Sequence, residues 1–229
     1  MKMKLGILIT AYNEEPRIKK VLNKLTNKTV ILVNDGSTDG TENIIDSYDN
    51  VIKISYKKNQ GKGYALQRGL SYAKKNKFDR LILMDADGQH NPIEIKKFIK
   101  KLDEGYDFIS GSRFIKNNSN VPFGRRIILF GGNIIEKLLI GINLTDAHNG
   151  YRAMSKTAIK KIKITENRMA YASELMFEVI HNNLKYTEVP VKIKYTRETL
   201  KKGTGSLLTG FKILFRLIGL KIRYINKKK

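Results

Sequence analysis

The chain has 229 residues and carries 44 Lys and Arg against 21 Asp and Glu, which gives a formal net charge of +23. With 41% hydrophobic residues it can bury a core, which excludes a disordered chain, and the absence of cysteine excludes disulfides and Cys-based zinc sites. The charge indicates an anionic partner, namely nucleic acid, anionic lipid or a phosphorylated substrate, although chains from Lys-rich proteomes share this composition.

The first part of the chain alternates short apolar runs with segments of helical spacing. Strands are predicted over 5–10, 29–33, 51–54 and 81–84, and helices over 17–25, 41–48 and 64–75. Such alternation is typical of βαβ units in a parallel sheet, whose ligands bind beyond the carboxyl ends of the strands. Three strands are followed there by polar stretches: TAYNEE, NDGSTDGT and DADGQ. No charged and apolar leader precedes the first strand, so a signal peptide is not expected.

The pattern changes after Phe114. Residues 123–144 are largely apolar, and Gly131-Gly132 predicts a kinked helix or two short helices there. A turn-rich stretch, a helix and a strand region are predicted over 145–154, 173–182 and 184–195.

The segment 206–225 has the spacing of an amphipathic helix. Lys212, Arg216 and Arg223 fall within about 40° of one another on a helical wheel, and apolar residues occupy the other side. Since a run of about 18 uncharged apolar residues is lacking, no transmembrane span is expected. The basic stripe fits a helix lying in a membrane interface, and an ordinary helix packed on the domain is the alternative.

Two carboxylates, Asp85 and Asp87, close the fourth predicted strand. Both can meet one ion only if the chain turns, which Gly88 permits. Hard divalent cations take carboxylate oxygens and keep water or phosphate oxygens as further ligands, so Mg²⁺ or Mn²⁺ on a diphosphate fits. The alternative is a helix beginning at Asn91-Pro92, whose positive end would favour nearby acids.

The other polar stretches are less distinctive. A turn and a helix cap explain Gly36, Ser37 and Asp39 but not Asp35. The sequence GKG at 61–63 fits a phosphate site or a turn, yet it lacks the spacing of a P-loop and of a dinucleotide fingerprint. The three His residues lack zinc-site spacing, and no Ser hydrolase elbow occurs.

Taken in order, six stretches resemble the inverting family 2 glycosyltransferases of the GT-A fold: ITAYNEE, VNDGSTDGT, GKGYALQRG, MDADGQHNP, SGSRF and TDAHNGYRAMSKTAI. They are most similar to dolichyl- and polyprenyl-phosphate sugar transferases. The resemblance implies an α/β fold with a Rossmann-like, mostly parallel sheet flanked by helices over 1–200. Residues 201–229 form the basic amphipathic C-terminal segment that the helical wheel predicts, without the pair of C-terminal membrane spans found in family members.

The resemblance also implies roles for individual residues. The nucleotide-sugar pocket would be lined by Ala11, Tyr12, Glu14, Asp35, Lys62, Asp85 and Asp87. Mg²⁺ or Mn²⁺ would be held by Asp85, Asp87 and Gln89. The acceptor phosphate would be bound by Arg113 and Arg126 and by a basic gate of Arg197, Lys201 and Lys202. The catalytic candidates are Asp87, Arg113 and Arg126. Two departures are Ala11, where the family usually has Pro, and Leu207, where the gate usually has Lys.

The implied reaction moves a sugar from a UDP- or GDP-sugar to a polyprenyl or dolichyl phosphate with inversion, for glycan or N-glycan assembly. A lipid phosphate is already anionic, so positioning and charge neutralisation should dominate. A glycan or protein hydroxyl is the alternative acceptor and would need a carboxylate base, with Asp146 and Glu174 as candidates. We expect a peripheral enzyme on the cytoplasmic face of a membrane. Nucleic acid is not an expected partner, since no RNA-module signature occurs.

Overall fold

A computed structural model describes residues 3–115, 121, 123–193 and 216–224. Within these ranges seven strands, β1 to β7, run over Leu5–Ala11, Val30–Asn34, Val51–Ser55, Arg80–Asp85, Phe108–Ser112, Arg152–Ser155 and Tyr186–Pro190. The helices described, α1 to α8, run over Glu15–Leu22, Thr41–Ile45, Lys62–Lys75, Ile95–Asp103, Phe123–Ile140, Lys156–Lys161, Tyr171–His181 and 216–224. A 3₁₀ turn covers Pro92–Glu94.

The strands form one sheet in the order β3-β2-β1-β4-β6-β5-β7. β1 pairs in parallel with β2 and β4, and β2 pairs in parallel with β3. β6 is antiparallel to both β4 and β5, whereas β5 and β7 are parallel. The predicted α/β class with a mostly parallel sheet flanked by helices is therefore confirmed.

The strand register places the polar stretches at one edge. Ala11 is paired with Asn34, and Thr10 is paired with Asp85. The backbone N–H of Asp35 also donates to the carbonyl of Ala11 at 2.8 Å. The chain segments that follow β1, β2 and β4 therefore meet at the carboxyl end of the sheet.

Side chains alternate between two buried layers because successive residues of a strand point to opposite faces. On one face Leu8, Ile31 and Leu83 pack with α3, α6, α7 and α8, and on the other Ile9 and Leu32 pack with α1 and α4. The two layers fix the sheet between helices and leave its carboxyl edge open.

The turn-rich prediction for 145–154 is wrong over its last residues, which belong to β6. A strand of four residues is too short to show a period of two. β5 and α6 were not predicted either, whereas the helix considered as an alternative at Asn91-Pro92 is present as the 3₁₀ turn Pro92–Glu94 followed by α4. Of the strand region predicted over 184–195, residues 194–195 lie outside the described residues, and within 184–193 the strand β7 covers only Tyr186–Pro190.

α5 is one continuous helix, so of the two predicted alternatives the pair of short helices is wrong and the kinked helix stays a prediction. Gly132 serves a close approach: a Cβ there would lie 3.1 Å from Nε2 of His148. The helix ends before the predicted residue 144 because Gly141 takes a φ of +80°, the left-handed conformation that closes many helices. No helix in the described ranges combines the length and apolar character needed to span a membrane.

α8 packs on the domain through Leu217, Leu220 and Tyr224, which are buried. Its Ile218 and Ile222 are exposed. The predicted domain boundary at residue 200 lies outside the described residues.

Candidate active site

A cavity of about 380 Å³ opens at the carboxyl end of β1, β2 and β4. The residues predicted for the nucleotide-sugar pocket all line it: Ala11, Tyr12, Glu14, Asp35, Lys62, Asp85 and Asp87. The structure thus brings these residues together, while their roles stay predictions. Asn59, Arg168 and Met169 also line the cavity, and the sequence reasoning did not name them.

Hydrogen bonds tie the loop after β1 to the loop after β2. The backbone N–H of Asn13 donates to Oγ of Ser37 at 3.0 Å, and the backbone N–H of Thr38 donates to Oδ1 of Asn13 at 2.8 Å. The backbone N–H of Glu14 donates to Oγ1 of Thr41 at 2.9 Å. These contacts give NDGSTDGT a structural role beside the cavity.

Asp35 is buried on the cavity wall and holds the loop before α3. Its carboxylate accepts from the backbone N–H groups of Gln60 at 2.8 Å and Gly61 at 2.9 Å, and from Nδ2 of Asn59 at 2.9 Å. These hydrogen bonds give Asp35 a structural role, which the predicted turn and helix cap after β2 did not explain. Its predicted contact with a nucleotide base stays a prediction.

Lys62 and Asp85 form an ion pair inside the cavity, with Nζ donating to Oδ1. Burial disfavours the Asp85 carboxylate, but the positive charge of Lys62 and its hydrogen bond outweigh burial and hold the pKa of Asp85 well below its usual range. Burial also opposes the Lys62 cation, and the Asp85 charge outweighs burial and raises the pKa of Lys62. Both groups therefore stay charged at neutral pH.

Asp87 is a partly buried carboxylate next to the negative charge of Asp85. Burial, followed by the negative charge of Asp85, raises the pKa of Asp87 to about 6. Its Oδ1 accepts from the backbone N–H of Gln89 at 2.9 Å, whereas the side chain of Gln89 is not part of the cavity lining described. A cation beside the two acids would relieve their repulsion, so the pair fits a hard divalent metal.

Across the described part of the chain, no group of three or more His, Cys, Asp or Glu side chains could hold a metal ion. A metal at Asp85 and Asp87 would therefore complete its shell with water or phosphate oxygens, as Mg²⁺ usually does. Gln89, the third predicted ligand, stays a prediction.

His90 supports Asp85 from behind, which the sequence reasoning did not foresee. Its Nδ1 accepts from the backbone N–H of Asp85 at 3.1 Å, and its ring stacks on Tyr151 with centroids 4.7 Å apart. Burial lowers the pKa of His90 to about 4, so the ring is neutral at neutral pH. Its place in MDADGQHNP was the available signal.

Arg113 is buried and engaged with Asp146. Nε and Nη2 of Arg113 donate to the two carboxylate oxygens of Asp146 at 2.6 and 2.5 Å, and the Arg113 backbone N–H adds a bond of 3.0 Å. Asp146 is fully buried and also accepts from Nδ2 of Asn149 at 3.1 Å. Neither residue lines the first cavity.

Arg126 is exposed and lines a second cavity of about 700 Å³ beside α5. The wall of this second cavity is largely apolar and is formed by Phe114, Ile127, Phe130, Ile134 and Leu144, with Asn133, Lys137, Asn143 and Thr145. The structure therefore places Arg113 and Arg126 in different surroundings. Arg197, Lys201 and Lys202, the predicted gate, lie outside the described residues.

Glu174, the other candidate base, accepts from the backbone N–H groups of Thr165 and Glu166, each at 2.8 Å. Oγ1 of Thr165 donates to its second oxygen at 2.5 Å. Glu174 is 1% exposed, and its carboxylate holds the loop that precedes α7.

Comparison with known proteins agrees with this geometry. Residues 6–163 match the model of glycosyl transferase family 2. The chain is 35% identical over 241 residues to the UDP-N-acetylglucosamine–dolichyl-phosphate N-acetylglucosaminyltransferase of Methanococcus voltae, covering 94% of this chain and 95% of that protein. It is 26% identical over 214 residues to the polyprenol monophosphomannose synthase of Mycolicibacterium smegmatis, covering 87% and 81%.

Among solved structures, glucosyl-3-phosphoglycerate synthase from Mycobacterium tuberculosis with Mn²⁺, UDP and glucosyl-3-phosphoglycerate superposes with a TM-score of 0.71. The match covers 97% of this chain and 80% of that one at 17% sequence identity, which establishes a shared GT-A fold. From the family match and the fold together, the chain belongs to glycosyl transferase family 2 and is a glycosyltransferase.

Proposed function

We propose that this enzyme transfers a sugar from a nucleotide sugar to a polyprenyl or dolichyl phosphate, with inversion and with Mg²⁺ or Mn²⁺, in glycan or N-glycan assembly. The names of the relatives from Methanococcus voltae and Mycolicibacterium smegmatis describe transfer to lipid phosphates of this kind. Those names differ in the sugar, so the donor is proposed only as a UDP- or GDP-sugar.

The second cavity is the observation that carries this proposal. Its apolar wall suits an isoprenoid chain, while Arg126 and Lys137 supply cations for an anionic head group. Guanidinium groups match phosphate oxygens in a two-bond geometry. A lipid phosphate combines both chemistries, and a hydrophilic sugar hydroxyl matches neither.

The carboxylates considered as bases for a hydroxyl acceptor are both engaged. Asp146 accepts from Arg113 and Asn149, and Glu174 accepts from the loop before α7. A general base needs an oxygen free to take the proton of the attacking group. An anionic phosphate oxygen can attack the anomeric carbon without such a base. The hydrogen bonds that engage Asp146 and Glu174 therefore support a lipid phosphate as the acceptor.

The first cavity is proposed to hold the donor, with Tyr12, Glu14 and Asp35 around the nucleotide. Asp85 and Asp87 would hold the divalent cation, which supplies charge neutralisation of the departing diphosphate when bound. Lys62 stays protonated beside Asp85 and adds a second positive charge near the phosphates. Arg113 is proposed to bind the acceptor phosphate with its guanidinium oriented by Asp146, together with Arg126, Arg197 and Lys202.

The enzyme is further proposed to lie on the cytoplasmic face of a membrane, where its acceptor resides. The supporting observation is a row of exposed apolar side chains on α5, formed by Ile127, Ile128, Phe130, Ile134 and Leu138. Exposed apolar patches of this kind mark protein or membrane contacts. No role in binding nucleic acid is proposed.

A transfer assay tests the proposal. The purified chain is incubated with Mn²⁺ or Mg²⁺, a polyprenyl phosphate and, in turn, UDP-glucose, UDP-N-acetylglucosamine and GDP-mannose labelled in the sugar. Label should enter the organic phase from one donor, and Asp87→Ala should reduce transfer at least about 100-fold because cation binding is lost. Asp49→Asn, an exposed acid before β3 at the opposite end of the sheet, is the control and should transfer normally.

Nucleotide binding without transfer to lipid would contradict the proposed acceptor. The hydroxyl alternative would then be tested with sugar acceptors and with Asp146→Asn. Transfer that persists without divalent metal would contradict the proposed role of Asp85 and Asp87.

A further inference from the structure

The rim of the first cavity includes a loop, residues 163–170, that lies between α6 and α7. Arg168 and Met169 of this loop line the cavity, although they are far along the chain from the motifs at the strand ends. The position of this loop therefore sets the shape of the proposed donor site.

The loop is attached to the start of α3. The carbonyl of Asn167 accepts from the backbone N–H groups of Gly63 at 2.8 Å and Tyr64 at 3.2 Å. A Cβ on Gly63 would lie 1.9 Å from the carbonyl oxygen of Glu166, so only glycine permits this approach. The GKG sequence thus serves the docking of the loop, and it places the loop next to Lys62 and its partner Asp85.

α8 holds the same loop from outside. Nη1 of Arg216 donates to Oε2 of Glu166 at 2.5 Å, and Nη1 of Arg223 donates to Oγ1 of Thr165 at 2.9 Å. Nitrogen atoms of Arg223 also lie 3.8 Å from carboxylate oxygens of Glu166 and Glu174. Two arginines of the predicted basic stripe therefore neutralise two acids at the base of the loop.

α8 is itself anchored, so it can serve as a fixed support. Leu217 and Leu220 are buried in the core, and the hydroxyl of Tyr224 donates to Oε1 of Glu178 at 2.6 Å. The ring of Tyr224 stacks on Phe177 with centroids 5.1 Å apart. The contacts with α7 fix the helix on one side and leave its arginines directed at the loop.

We propose that α8 positions the 163–170 loop for donor binding, with Arg216 and Arg223 as positioning residues, a role that rests on the proposed nucleotide-sugar site. Without the two cations, Glu166 and Glu174 repel each other across the base of the loop. The cavity rim formed by Arg168 and Met169 then loses its fixed position. Nucleotide binding must order the rim, and the entropy lost in doing so weakens the affinity.

The test compares the full chain with Arg216→Gln/Arg223→Gln, using UDP-N-acetylglucosamine, UDP-glucose and GDP-mannose with Mn²⁺ in titration calorimetry. The arginine side chains are 60% and 48% exposed, so each pair is worth little, and the double variant should bind the preferred nucleotide about 3- to 10-fold more weakly. The donor KM should rise by a similar factor with kcat little changed. Lys221→Gln, on the same helix, is the matched control and should bind like wild type.

Hydrogen exchange of the nucleotide-free chain gives a second readout. Amides of residues 165–169 should exchange faster in the double variant, whereas those of β1 and β4 should not change. If the double variant fails to fold, Glu166→Gln removes the same pair from the side of the loop. A cycle of Glu166→Gln, Arg216→Gln and both together should show non-additive losses in nucleotide binding.

The outcomes separate this inference from the proposed function. A wild-type chain that binds none of the three nucleotide sugars overturns both. Wild-type binding matched by the double variant, or additive losses in the cycle, overturns the role of α8 alone. Faster loop exchange with unchanged nucleotide affinity also overturns it, because the loop would then be held without consequence for the donor.

Discussion

At the scale of single residues, the site contains buried or partly buried charged side chains, several of which are stabilised by a partner of opposite charge. Asp85 is stabilised by Lys62, and Arg113 is fixed by Asp146. Arg152 is fully buried, with Nη2 donating to the carbonyl of Ala147 at 2.8 Å. Breaking the buried Arg113–Asp146 pair by removing one partner should cost about 3–5 kcal/mol, because the other charge stays behind.

Glu136 is a buried acid outside the cavities, and it gives the chain a pH-dependent stability. It is 1% exposed, its Oε2 has no hydrogen-bond partner in the described structure, and its other oxygen is paired with the Ser173 hydroxyl. Burial raises the pKa of Glu136 to about 7. Nε2 of His148 lies 3.7 Å away, but burial lowers the pKa of His148 to about 4, so it is neutral near pH 7.

Because the folded-state pKa of Glu136 exceeds its ordinary value, the folded chain binds this proton more tightly than the unfolded chain. Its ionisation should therefore lower the free energy of unfolding as pH rises from 4.5 to 7. Glu136→Gln should raise the free energy of unfolding by about 3 kcal/mol at pH 8 and change it little at pH 4.5. Urea unfolding at both pH values measures this.

The control for Glu136→Gln is Glu104→Gln, which alters an exposed acid at the end of α4. It should show no comparable difference between the two pH values. A Glu136→Gln effect of equal size at both would contradict the buried charge and indicate a packing change.

At the scale of elements, α5 has two unlike faces. Ile135 and Leu139 pack against the core, whereas Ile128 is 71% and Leu138 is 74% exposed. A helix with an outward apolar face gains free energy when that face enters a lipid interface.

Ile128→Ser/Leu138→Ser should therefore weaken binding of the chain to lipid vesicles. If each side chain contributes about 1 kcal/mol in the interface, the partition coefficient falls about 30-fold. Vesicle co-sedimentation measures this, and Tm should be unchanged because both residues are exposed. Ile93→Ser, at a 70% exposed site on the 3₁₀ turn, is the matched control. Equal loss in the control would contradict a specific role for α5.

At the scale of the whole molecule, the net charge of +23 draws the chain toward anionic surfaces. Lys and Arg near a negative membrane contribute about 1 kcal/mol each, and salt screens this attraction. Vesicles containing phosphatidylglycerol should therefore bind the chain more tightly than neutral vesicles, and raising NaCl to about 0.5 M should remove most of the difference. Binding that ignores both lipid charge and salt would contradict an electrostatic contribution.

The sequence by itself determined the α/β class, the strands β1 to β4 and the family. Those elements are local: each strand is one apolar run, and each polar stretch follows its strand directly. Parallel strands bring their carboxyl ends to one edge of the sheet, so the strand pattern alone predicts that Ala11, Asp35 and Asp85 lie close together. The family match over residues 6–163 follows from the same stretches.

Only the tertiary structure decided which carboxylates are already engaged in hydrogen bonds and which segments pack beside the first cavity. From the sequence, Asp146 and Glu174 are equally plausible general bases. In the folded chain Asp146 accepts hydrogen bonds from Arg113, and Glu174 accepts them from the 163–170 loop. Likewise, the sequence allows the basic stripe to face either lipid or protein. In the structure Arg216 of this stripe donates to Glu166, 50 residues away along the chain. Such contacts depend on packing between distant segments, and no local pattern of residues encodes them.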